Sequence, residues 1–193
     1  MVILVLGLVI FLGLHSTRVF AESLRANAIA RLGEGAWKGT YSLLSIIGFF
    51  LIVLGFAQAR WNVVELWTPP AWTRQTTILL MLFSAILMAA YIFKKSHIAV
   101  AAHHPMLWSV AIWAAGHLLS NGSSADLVLF GAFFVWAVAD LRSSYARDQR
   151  NAVAYPAPNW GATFGAVLLG VFIWIVLLGG LHLWLFGVAP MAM

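Results

Sequence analysis

The chain has 193 residues, of which 63% are hydrophobic and 9% charged. A soluble domain carries about 25% charged residues, so a water-facing globule is excluded, and no polar segment is long enough to bury a core of its own. The net charge of +5 is scattered between apolar runs, which excludes nucleic acid as a partner and points to the loops of a membrane protein.

The apolar runs predict an all-α integral membrane protein, a single domain over 1–193 built as a bundle of six transmembrane helices. The spans fall at about 2–19, 37–59, 76–93, 105–120, 125–141 and 161–188, near the roughly 20 residues that a helix needs to cross hydrocarbon. The first could be mistaken for a signal peptide, because "VFA" before Glu22 resembles a cleavage site. It lacks the positively charged start of such a peptide, and is expected to stay as a membrane helix.

His15 lies near the end of this span, with Arg18 one turn later. Two polar residues so close in hydrocarbon predict a face that looks into the bundle. Tyr41 and Ser45, early in the second span, are candidates to face His15. Between the two spans, Leu24, Ala28 and Leu32 recur at helical spacing, with Arg25 and Arg31 elsewhere on the wheel. This is the pattern of a short interfacial helix, ended by Gly33 and Gly35. Beyond the second span, Trp61, Trp67 and Trp72 read as an aromatic belt.

The fourth span holds the densest chemistry, "HHPMLWSVAIWAAGHLLSNG" at 103–122. Pro105 suits the first turn of a helix, where its missing N–H leaves nothing unpaired. His104 then stands at the positive end of the helix dipole, which disfavours an imidazolium and leaves a neutral ring able to bind metal or form a hydrogen bond. His117 comes 13 residues later, about 20 Å along the axis and about 220° around it, so these two cannot share one ion from a straight helix. His117 shares a face with Trp113 and Asn121. An ionisable residue inside a span is a functional candidate, set against a simple hydrogen bond between helices.

Ser123 and Asp126 form a capping box that starts the fifth span. The run after that span, "SSYARDQRNAVAYPAPN" at 143–159, reads as a solvated connection, and His97 and His103 as solvated residues of another. Gly161 and Gly165 form a small-xxx-small pair suited to close packing. His182, beside Trp184, reads as an interface residue.

Nine basic residues (Arg18, Arg25, Arg31, Lys38, Lys94, Lys95, Arg142, Arg147 and Arg150) fall on one side of the six spans, and Arg60 and Arg74 on the other. Positive residues stay in the cytoplasm, which puts both termini on the outer side.

The chain has no cysteine, so disulfides, iron–sulfur clusters, thiolate haem ligation and covalent haem attachment are excluded. No paired carboxylates, GxGxxG, P-loop, HExxH or GxSxG occurs. Histidines on separate helices instead fit a b-type haem, which two imidazoles hold from its two faces.

Together "LHSTR" (14–18), "GEGAWKGTYSLLS" (33–45), "PPAW" (69–72), "HPMLWSVAIWAAGHLLSNG" (104–122), "ADLVLFGAF" (125–133) and "HLWLFGVAP" (182–190) resemble the NnrU family over nearly the whole chain. That resemblance implies a multi-pass protein of the bacterial inner membrane, linked to nitrite and nitric oxide metabolism in denitrification. The family is also related to a zeta-carotene isomerase that uses haem b, whose motifs are H-S, then H-P followed by W-C-x-x-H. Carried over, they make His15 and His117 the axial ligands, with His104 the alternative, and put Trp113 at the site. Arg18 is a partner for a haem propionate by charge and position. The cysteine of the last motif is Ala114 here, so no thiolate exchange is open to this chain, and His103 replaces the basic residue before H-P.

Besides the lipid bilayer, a small hydrophobic substrate or a respiratory-chain protein is the expected partner. Two rival readings stand beside the haem protein. One is a haemless membrane factor that assists assembly or regulation of a respiratory complex. The other is an isoprenylcysteine methyltransferase-like enzyme, which needs a cytoplasmic cofactor pocket and a long C-terminal segment to build it.

Overall fold

A computed structural model describes residues 1–62 and 64–191. The described residues form helices α1 (Val2–His15), α2 (Thr17–Phe20), α3 (Glu22–Leu32), α4 (Glu34–Ala59), α5 (Trp72–Ile92), α6 (His97–Ala102), α7 (Pro105–Ser120), α8 (Ser124–Arg150), α9 (Trp160–Val176) and α10 (His182–Phe186). Among the described residues, four helical stretches are long and apolar enough to cross a membrane: Glu34–Asn62, Trp72–Ile92, Ser124–Arg150 and Trp160–Phe186. The helices α1, with 14 residues, and α7, with 16, are shorter, rising about 21 and 24 Å against a hydrocarbon core of about 30 Å.

The large helices neighbour one another in the spatial order α4, α1, α8, α7, α5, α9. Their outward faces are apolar. Leu54 is 61% exposed on α4 and Leu168 69% on α9, an exposure of large aliphatic side chains that lipid accommodates and water does not.

Small residues set the closest approaches. Helix α1 packs antiparallel on α4 through Gly7, Gly48 and Gly55. A Cβ on Gly7 would stand 2.6 Å from the Ile52 amide nitrogen, one on Gly48 would stand 2.9 Å from that of Phe11, and one on Gly55 would fall on the backbone of Leu4. At the other end of the row α9 closes on α5 through Gly165, against the Phe93 ring, and Gly170, against the Ile86 backbone. Gly161 takes no part, because it lies in the first turn of α9 and meets only Asn159. The tight pair is therefore Gly165 and Gly170, not the expected Gly161 and Gly165.

Hydrogen bonds reinforce the α5–α7 contact. The Ser84 hydroxyl donates to the Ser109 carbonyl at 2.9 Å, and the Ser109 hydroxyl can return the bond to the Ser84 carbonyl at 2.8 Å. Thr77 donates to the Gly116 carbonyl at 2.7 Å. In hydrocarbon such bonds average about 0.6 kcal/mol each.

Helix boundaries refine the expected spans. The first helix stops at Ser16, where the Thr17 hydroxyl bonds back to the Leu14 carbonyl at 2.7 Å and competes with the helical ladder. The interfacial segment is helical over Glu22–Leu32 and ends at Gly33 with φ 82°. The fifth span begins at the expected capping box, with Ser123 accepting from the Asp126 amide and Asp126 from that of Ser123. It then runs on to Arg150, well past the expected end at 141. The last helix is interrupted by a wider turn at Leu177–Leu181, where Gly180 takes φ 132°.

The two ends of the bundle differ. One end is tied by backbone: Leu66 N–H donates to the Gly122 carbonyl at 2.8 Å, Ser124 N–H to that of Val64 at 2.9 Å, and Arg60 to the Phe186 carbonyl at 2.9 Å. The other end gathers Arg18, Arg25, Lys38 and Arg147 around a cavity.

Candidate functional site

His15 closes α1 at the basic end. Its Nδ1 lies 2.7 Å from the Phe11 carbonyl. A carbonyl only accepts, so Nδ1 carries the proton and Nε2 holds a lone pair. This is the tautomer a metal ligand needs, with the second nitrogen already tied to a hydrogen-bond acceptor. The ring stacks on Phe11 at 4.2 Å, lies 5.3 Å from the expected partner Tyr41, and meets the edge of Trp136 at 6.0 Å.

His15 lines a cavity of about 500 Å³ between α1, α4, α7 and α8. The cations Arg18, Arg25, Lys38 and Arg147 face it, against Asp140 as its acidic group. Arg25 is drawn to Glu22 at 3.0 Å, Lys38 to Glu34 at 2.7 Å and Arg147 to Asp140 at 3.4 Å. Arg18 makes no ion pair among the described residues. The indole Nε1 of Trp136, also on this cavity, is buried without a hydrogen-bond partner, and an unpartnered buried donor is costly unless a ligand meets it.

His104 also lines the cavity, as the residue before Pro105 at the start of α7. Its Nε2, however, stands 2.8 Å from Asp148 Oδ2, off the line of a good hydrogen bond. Asp148 in turn accepts from the Tyr155 hydroxyl. Burial, and then this bond to Asp148, push the Tyr155 phenol up to about 12. His104 thus stands against a carboxylate, with no hydrogen bond made by its buried Nε2. His103, with φ 56°, stacks on Tyr155 at 3.9 Å. His97 accepts or donates at Nδ1 with the Thr163 hydroxyl at 2.9 Å and lies 4.3 Å from the Trp160 ring. His103 is exposed, as the sequence suggested, whereas His97 is half-buried because α9 brings Thr163 and Trp160 against it.

His117 repeats the geometry of His15 at the far end of α7. Its Nδ1 is 2.8 Å from the Trp113 carbonyl, and the Asn121 amide donates to its own carbonyl at 2.8 Å. The expected Trp113–His117–Asn121 face is present, and the tautomer again leaves a lone pair on Nε2. Its ring stacks on Phe130 at 4.5 Å and lies 5.3 Å from Trp113.

The structure brings His15, Arg18 and His104 to one cavity and sets His117 and Trp113 apart from it. Phe11 meets Phe133 at 6.0 Å, and Phe133 meets Trp113 edge-on at 5.5 Å. This layer of rings lies between the two imidazoles. Both histidines present a ring nitrogen free of a backbone partner, and the cavity of about 500 Å³ adjoins His15 without reaching His117. Among the described residues no group of three or more His, Asp or Glu is placed to hold a bare metal ion. His182 bonds through Nδ1 to the Val188 carbonyl at 2.8 Å and is half-buried at the opposite end of the molecule.

Sequence reading missed Asp148, Tyr155 and Trp136. A signal for Asp148 was present: Leu141, Ser144, Tyr145 and Asp148 continue one helical face, and no Gly or Pro occurs before Pro156.

No curated protein and no solved structure matches the chain. The family model described as NnrU protein matches residues 3–190, nearly the full length. The chain belongs to the NnrU family.

Proposed function

We propose that this membrane protein spans the bacterial inner membrane six times and binds haem b against His15 in the cavity at its basic end. The observation that carries the reading is the fixed tautomer of His15 at the wall of a cavity of about 500 Å³ lined by cations. His15 would hold the iron through Nε2, and Arg18 and Arg147 would meet the propionates, with the Trp136 indole on the wall of the same cavity. Bound there, haem supplies one-electron chemistry or an iron site for a small molecule such as nitric oxide. His117 would be the second residue to hold the iron only if the aromatic layer between it and His15 opened. The denitrification link and haem-dependent isomerisation both rest on the family resemblance.

The six-span topology is supported by the way α1 and α7 run beside the longer helices. Leu4 abuts Gly55 near the end of α4, while His15 abuts Tyr41 near its start. Short spans of this kind are tolerated where the bilayer thins or neighbours shield them. With the basic end in the cytoplasm, both termini lie outside.

The test is the visible spectrum of the detergent-purified protein, oxidised and then reduced. Wild type and His97→Ala are expected to show a Soret band that shifts on reduction, and His15→Ala to lose it. A band retained in His117→Ala but moved to a high-spin position identifies His117 as the second ligand, and an unchanged band removes it from that role. A colourless wild-type protein, purified from haem-replete cells, overturns the haem reading. The filled ring layer favours the second reading, in which the protein is a haemless factor for a respiratory partner and the histidines only bond within their helices.

A further inference from the structure

A separate groove of about 340 Å³ follows the seam where α7 packs on α8, and none of its lining residues touches the His15 cavity. Its shape comes from residue size. Ala111 and Ala115, one turn apart on α7, leave a trough opposite Phe134, Val138 and Leu141 of α8. The trough is apolar along its length, and its outer edges face lipid: Trp108 is 40% exposed and Phe134 37%. One end is polar. There Trp108 Nε1 donates to the Tyr145 hydroxyl at 3.0 Å, and Tyr145 donates to the Ala102 carbonyl at 2.8 Å. Arg142 stands exposed beside them, in no ion pair among the described residues.

We infer that this groove binds one anionic phospholipid, with an acyl chain in the alanine trough and the phosphate at Arg142. The geometry and the charges agree on this occupant. From Phe134 to Arg142 the groove runs about 12 Å along α8, within one leaflet. Indole and phenol groups sit at headgroup depth because one edge is apolar and the other polar. A trough with an unpaired guanidinium at its mouth selects an amphiphile with a negative head over a zwitterionic one. One basic residue near an anionic membrane surface is worth about 1 kcal/mol, or about fivefold in occupancy.

Native mass spectrometry of the detergent-purified protein tests this, with phosphatidylglycerol and phosphatidylcholine of equal chain length as probes. Wild type is expected to retain a single phosphatidylglycerol in about fivefold preference. Arg142→Gln, an exposed change that leaves the fold intact, is expected to abolish the preference while keeping an adduct of either lipid. Ala115→Phe fills the trough and is expected to reduce both adducts, with circular dichroism checking that the helices persist. Equal retention of the two lipids by wild type overturns the inference, as does an undiminished adduct in folded Ala115→Phe. So does conversion from dimer to monomer by Ala115→Phe, since the groove would then be a contact between two copies.

Discussion

Replacing Gly7 by alanine adds one methyl group within the tight α1–α4 contact, and the structure fixes the sign of the effect. The new Cβ would stand 2.6 Å from the Ile52 nitrogen, 2.9 Å from the Leu51 carbonyl carbon and 2.9 Å from the Leu51 Cβ. Comfortable separation is about 3.5 Å or more, so the helices must part by about 1 Å there. No flexible side-chain tip can yield in their place, because the obstructing atoms are backbone or directly attached to it. Separation loosens Leu4, Leu8 and Leu12, which α1 buries in the main core cluster. Overpacking of this kind costs about 1–3 kcal/mol, against about 0.5–1 kcal/mol returned by the better helix propensity of alanine. The net expectation is a loss of about 1–2 kcal/mol. Gly39 is the control, since a Cβ there meets nothing within 4 Å, and Gly39→Ala is expected to stabilise by about 0.5–1 kcal/mol. Reversible unfolding in mixed micelles of dodecylmaltoside and SDS, followed by circular dichroism, measures both. If Gly7→Ala is as stable as Gly39→Ala, the glycine contact is not what holds α1 on α4.

The Tyr155–Asp148 bond predicts a pH signature. Its phenol is raised to about 12, so the folded state holds this proton longer than an unfolded chain would. The stability this contributes is complete below the ordinary tyrosine pKa of about 10 and is lost as pH rises through about 12. In an ultraviolet titration of the four tyrosines, one ionisation is expected to lag near pH 12 and to vanish in Tyr155→Phe; a titration complete by pH 11 would refute the bond. Between α5 and α7, Ser109→Ala is expected to lower stability by roughly 1 kcal/mol, because it breaks the returning bond to Ser84 in an apolar setting. An unchanged midpoint in the same mixed-micelle assay would mean that the serine pair contributes nothing net.

Features that depend on neighbours in sequence were legible before the structure. Pro105 at the first turn of α7, the Ser123–Asp126 capping box, the helix over Glu22–Leu32 and the Trp113–His117–Asn121 face follow from local spacing. Features that depend on a partner far along the chain were not. Helical periodicity assigns a face to Gly48 and Gly55 but cannot say that Leu4 and Phe11 meet them. The same holds for His15, whose inward face and Tyr41 partner could be read, whereas Trp136 and its unpaired N–H could not. The polar run after residue 141 was read as loop because charge was taken as a mark of solvent. Its residues are good helix formers, and carrying the helix to Arg150 is what brings Asp148 to His104.

The glycine contact and the aromatic layer belong to one mechanical arrangement. Glycines lock α1 to α4, so that pair moves as a unit. Its contact with α8 is the thinnest seam among the neighbouring large helices. Phe11, Phe133, Trp113 and Phe130 occupy this seam, with His15 toward one end of it and His117 toward the other. Uncovering each ring costs about 1.5–3 kcal/mol, which a planar cofactor, bound as proposed, would offset with a comparable apolar area. Closed, the seam leaves a cavity against His15; if haem binds as proposed, opening the seam by the thickness of a ring would uncover both imidazoles, whose Nδ1 atoms are already tied to the Phe11 and Trp113 carbonyls. What a ligand must overcome is therefore the separation of two preformed halves, and not the reorientation of either histidine.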